Sequence, residues 1–252
     1  MKVYPCIYAA CFCLLLFVSC DSSDNKNESR VLSQSEGTAE PLAPALEFKE
    51  IPVAGMPDAI VDIYSPTGNE DFEPGKVLFS VNIRNYPLGK ERPFMLSLNG
   101  ATPKAHSTPS FQMELDKGTY RAVTFLLDEQ GLALKEYGNF SERQFTVGGT
   151  ELSVDQLQPS LLLHLPRDQQ QFAEGEPILI DFIYLGGDPE LDGLAIQVEL
   201  GNHTHKTQQM ETLSLSGIPE GNYDLVIRLM NSESGQPIPG NYTSISRSIR
   251  VK

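Results

Sequence analysis

The chain has no tryptophan, and its four cysteines, Cys6, Cys11, Cys13 and Cys20, all fall within the first 20 of 252 residues. Everything after position 20 therefore lacks a disulfide framework and a cysteine-ligated metal site. It must hold together by core packing. The absence of tryptophan removes the strongest aromatic platform for a sugar. Cations are also scarce: 19 Lys and Arg stand against 33 Asp and Glu, a net charge of −14. Such a surface argues against nucleic acid and against electrostatic binding to anionic lipid. Gly-x-Ser-x-Gly, a phosphate-cradling glycine loop and His-Glu-x-x-His are all missing, so no catalytic constellation can be named. The expectation is a protein that is not an enzyme. No apolar run is long enough to span a bilayer, which takes about 20 residues.

What is present begins at the N-terminus. Lys2 precedes an apolar run from about Ile7 to Val18; Ser19 and Cys20 come next. This is the layout of a secretory signal peptide. The stretch Leu16-Phe17-Val18-Ser19-Cys20 resembles a bacterial lipobox, with Phe17 where that family usually has leucine. The resemblance covers residues 1–20. It implies that residues 1–19 are removed and that Cys20 becomes the first residue and carries the lipid. The membrane is then a partner through that lipid, and the protein is expected in the cell envelope. Residues 20–50 read as a flexible acidic tether. Asp21–Ser29 contains no apolar residue, so it cannot offset the entropy of ordering. A coil of this length would hold the folded domains about 30 Å from the anchor.

The remainder repeats itself. Ser65-Pro66 returns as Leu165-Pro166, and Phe72-Glu73-Pro74-Gly75 as Phe172-Ala173-Glu174-Gly175. Leu98-Asn99-Gly100 returns as Leu200-Gly201-Asn202, Gly118-Thr119-Tyr120 as Gly221-Asn222-Tyr223, and Phe145-Thr146-Val147 as Ile249-Arg250-Val251. The spacing creeps upward along the chain, as it does when only loops change length. A repeat of this size is a whole domain. Each copy shows period-two alternation bounded by Gly, Pro and Asn. In the second copy Ile178, Ile180 and Phe182 share a face, as do Ile196, Val198 and Leu200. The reading is all-β: sandwich 1 over 51–148, a linker at 149–157, and sandwich 2 over 158–252. Gly148-Gly149 reads as flexible, with Leu152, Val154 and Leu157 available to pack between the domains.

The repeated residues Pro66, Phe72, Gly75, Leu98, Gly118, Tyr120 and Val147, with their second-copy partners, resemble the immunoglobulin-like or fibronectin-III-like modules found in tandem in bacterial secreted proteins. The resemblance covers about 190 residues and implies two β-sandwiches. Modules of this kind serve adhesion, spacing and ligand capture, so the expected partner is a protein or glycan. Tyr120 and Tyr223 sit where a tyrosine corner would bond its hydroxyl to backbone.

Three groups of side chains invite a chemical reading. Asp188-Pro189-Glu190-Leu191-Asp192-Gly193, with Glu199 at the twelfth place, approaches a calcium loop, although Glu190 is long for its place and no helices flank it. The alternative is an acidic strand-connecting loop. His203 and His205 are two apart and would share a strand face, as a pair of metal ligands does; Gly201-Asn202 before them favours a solvated loop instead. Tyr86, Tyr137, Phe140 and Tyr242 fall in loops and could form a contact surface, or pack against the sandwich ends.

Overall fold

Alternating apolar residues bury one face of each strand, and two such faces close a core. The computed structural model describes residues 46–149 and 159–252, and every element in them is a strand. The signal segment, Cys20, the tether to residue 45, and Leu152, Val154 and Leu157 lie outside the described residues. In chain order the first strands are β1 (Glu47–Ile51), β2 (Ile60–Ser65), β3 (Asp71–Phe72), β4 (Gly75–Arg84), β5 (Phe94–Leu98), β6 (Lys104–His106), β7 (Ser110–Leu115), β8 (Gly118–Phe125) and β9 (Phe140–Val147). The second copy supplies β10 (Ser160–Leu165), β11 (Gln170–Phe172), β12 (Ile178–Leu185), β13 (Leu194–Leu200), β14 (His203–Thr207), β15 (Thr212–Ser216), β16 (Gly221–Asn231) and β17 (Ser244–Val251).

The first copy packs sheet β2-β4-β7 against sheet β3-β9-β8-β5-β6. The second repeats this with β10-β12-β15 and β11-β17-β16-β13-β14. β3 and β11 run parallel to β9 and β17; the other pairs are antiparallel. Both copies are tandem immunoglobulin-like sandwiches, and both lie in one compact unit, Leu42–Lys252. Val61, Ile63, Phe79, Phe94 and Phe145 centre the first core. Leu161, Ile180, Phe182, Val198 and Ile227 centre the second. The repeat extends to detail. Tyr120 Oη donates to Asp116 O and Tyr223 Oη to Pro219 O, each at 2.9 Å and four residues upstream, so both tyrosine corners form. The register slips between Ile63 and Ser65 and again between Leu163 and Leu165.

Two readings change. The sequence puts the end of the tether at residue 50, but Glu47–Ile51 is a strand. It does not join the sandwich that comes next in the chain: β1 lies antiparallel on β15, with Phe48 opposite Leu215 and Glu50 opposite Leu213. Leu46 and Phe48 point to the second core. A run this short shows only two apolar alternations after a Ser, Glu and Pro-rich stretch, too few to stand out. His203–Thr207 is likewise a strand, paired with β13, and not a loop.

Candidate functional site

The most chemically concentrated region is the seam between the two sandwiches. β10 and β12 lose the two-residue alternation: Leu161-Leu162-Leu163 and Phe182-Ile183-Tyr184-Leu185 are buried throughout. Their inner residues fill the second core. Their outer residues, Leu162, Ile183 and Leu185, pack with Met95, Val123, Phe125 and Leu127 from the first copy. Strands covered on both faces need apolar residues on both.

Asp181 lies in this layer with 0% of its surface exposed. Four donors reach its carboxylate. Oδ1 accepts from Lys135 Nζ at 2.6 Å and from Thr212 Oγ1 at 2.7 Å. Oδ2 accepts from the Ala133 backbone N–H and from His164 Nδ1, both at 2.8 Å. Lys135 Nζ also donates to the Phe182 carbonyl. Burial alone would push the Asp181 carboxyl up. The positive Lys135 and the His164 hydrogen bond outweigh it and hold the carboxyl well below the usual carboxylate range. Ala133 and Lys135 come from the first copy, the other groups from the second. One charge therefore pins the copies together. Its counterpart in the first copy, counting from the register slips, is Ser80.

A second polar contact crosses the seam at the other end of the β10–β12 pair. Arg121, buried on β8, grips Glu142 through Nε at 2.6 Å and Nη2 at 3.2 Å. Nη2 also donates to Ser160 Oγ at 2.6 Å across the seam. The guanidinium lies 4.3 Å from the centre of the Tyr242 ring, a cation–π contact. An open cleft of about 630 Å³ flanks the seam, lined by Pro57, Ile60, Phe140, Arg143 and Leu185. Tyr137 stands at its rim, 98% exposed.

The acidic turn does not gather its side chains. Asp188 Oδ1 caps the Leu191 N–H at 3.0 Å. Asp192 Oδ2 accepts from Tyr184 Oη at 2.7 Å, and burial with Asp192 pushes the Tyr184 hydroxyl up. Glu190 is exposed on the turn. Glu199 is several residues along β13, where Arg228 Nη2 donates to it at 2.9 Å and Gln197 Nε2 bonds it as well. His203 is exposed on β14, and the His205 ring stacks on Phe48 at 5.1 Å. They share a strand face as the spacing predicts. Among the described residues no three His, Cys, Asp or Glu side chains converge to hold a metal.

The loop aromatics divide. The Tyr86 hydroxyl lies 3.1 Å from the carbonyls of Pro93 and Leu127, and burial pushes it up. Phe140 is on β9 and packs against the seam, and Tyr242 lies against Arg121. Tyr137 alone of the four is open to solvent. Sequence reasoning missed Asp181, Lys135 and Arg121. The signal for the apolar part was the unbroken run at Leu161–Leu163; nothing local marks Asp181, because its partners come from distant segments.

The fold defines the class: a tandem pair of immunoglobulin-like β-sandwiches. No protein-family model matches the sequence, and no curated protein does. Among solved structures, the fibronectin(III)-like modules of Clostridium thermocellum CbhA are 16% identical, with 77% of this chain and 94% of that one covered at a TM-score of 0.30. The three N-terminal domains of the highly immunogenic outer capsid protein of bacteriophage RB49 are 11% identical, with 77% and 69% covered at a TM-score of 0.24. At these values neither says what this chain binds.

Proposed function

We propose that the chain is a lipid-anchored, non-enzymatic protein of the cell envelope, and that its two sandwiches act as one rigid unit in binding or in an accessory role. The observation that carries the non-enzymatic part is the use made of buried ionisable side chains. Asp181 and Arg121 join the two copies, and His164 holds Asp181 in place. Asp128 closes a turn by accepting from the Gln130 and Leu132 N–H groups. Each is committed to a structural hydrogen bond, whereas a general base or nucleophile must offer a free lone pair or proton to a substrate. The anchoring part rests on residues 1–20 and on Cys20 as the lipid carrier. Labelling cells with an alkynyl fatty acid tests it. The native chain should take up label, and Cys20→Ala should accumulate as unlabelled, uncleaved precursor. A native chain that is cleaved yet never labelled would refute the anchor.

A further inference from the structure

The two copies differ at one sheet edge. In the second copy β1 covers β15. In the first copy the equivalent strand, β7, has β4 on one side and no strand on the other among the described residues. The Val81 N–H donates to Pro109 O at 2.8 Å, one step beyond the Ser80–Ser110 pair. Bonded and non-bonded pairs alternate in an antiparallel ladder. The N–H and C=O groups of Ser110, Gln112 and Glu114 therefore point away from β4, and all three residues are exposed. The inner face is also less covered. Counting from the register slips, Leu213 and Leu215 correspond to Phe111 and Met113. Leu213 and Leu215, under β1, are 0% exposed, whereas Phe111 and Met113 are only half-buried.

β1 also shows what the missing strand would bring. Its Phe48 covers Leu215, and its Glu50 Oε1 accepts from Thr207 Oγ1 at 3.0 Å. Thr207 sits opposite Ile196, and in the first copy His106 sits opposite the equivalent Phe94. His106 stacks on Phe111 at 4.0 Å, and its Nε2 is buried with no hydrogen-bond partner. A carboxylate entering opposite Phe111 would meet that nitrogen. At the other end Glu114 occupies the place of Ser216, which faces Glu47 of β1. Like charges directly opposite one another destabilise a pair. This disfavours a second copy's Glu47–Ile51 and favours a cation there.

We propose that β7 accepts an extended segment of a partner protein by strand addition, antiparallel, with the pattern Lys, aromatic, any residue, Glu, apolar. This rests on the binding reading above and names the surface that does it. Backbone hydrogen bonds supply affinity and the alternate side chains supply register.

The probe is the capped peptide Thr-Lys-Phe-Thr-Glu-Val-Thr, titrated into the intact chain in detergent. Binding with a Kd below about 100 µM is expected. Replacing the peptide Glu by Gln should weaken it about tenfold, since a charge-assisted bond is lost. Gln112→Pro should weaken it at least as much, about tenfold, while the chain keeps its melting temperature, because an edge tolerates proline where the N–H faces solvent. If Gln112→Pro does not fold, amide exchange on the unaltered chain decides: protection of Gln112 and Glu114 by the peptide supports the site, and no protection overturns it. Absence of binding, or binding indifferent to Gln112→Pro, also overturns it. So does self-association of the native chain that Gln112→Pro abolishes, which would make a second copy the occupant. A chain that takes fatty-acid label yet ignores the peptide loses the strand site and keeps the anchor.

Discussion

Asp181 shows how one residue can decide a relation between two domains. A buried carboxylate is costly unless its lone pairs are filled, and here four donors from three segments fill them. Asp181→Asn keeps the shape but leaves Lys135 beside a neutral amide. We expect it to lose about 3–5 kcal/mol in urea unfolding, the usual cost of breaking a buried pair. The pH dependence comes from the depressed carboxyl. Its contribution is whole above the unfolded carboxylate value, about pH 4. It is lost as pH falls below that value toward the folded one, because the unfolded chain then binds a proton that the folded chain does not. Native stability should drop steeply below about pH 4, and the Asp181→Asn curve should be flatter there. Equal slopes would remove Asp181 as the source.

Among the elements, β1 is the one whose placement could not be read in advance. The strands of the two copies were legible because alternation and the repeat reinforce each other: Phe94–Leu98 and Ser244–Val251 form where alternation puts them. Among the described residues β1 has no counterpart in the repeat, and its partner β15 is over 150 residues away. The seam escaped for the same reason. Lys135 and Asp181 each look like ordinary polar residues until the fold brings them within 2.6 Å. The acidic turn is the reverse case. Its composition resembles a calcium loop, but Tyr184 and the Leu191 N–H engage two of its carboxylates. For β1 itself, Phe48→Ala should cost about 1–2 kcal/mol, since a half-buried ring loses its cover on Leu215. Amide exchange should speed up at Thr212, Ser214 and Ser216. An unchanged exchange rate there would mean that β1 does not pair in solution.

At the scale of the whole molecule, the copies are joined by three independent means. β1 ties the start of the first copy to a sheet of the second. An apolar layer fills the seam. Asp181 and Arg121 bridge it with hydrogen bonds. Modules so joined present their loops and edges in fixed relation, which suits the proposed anchored binder better than a string of free spacers. The measurement that tests this most directly is calorimetric unfolding of the chain without residues 1–19. The account predicts a single transition whose calorimetric and van't Hoff enthalpies agree. Two separate transitions, each with the enthalpy of one sandwich, would contradict it.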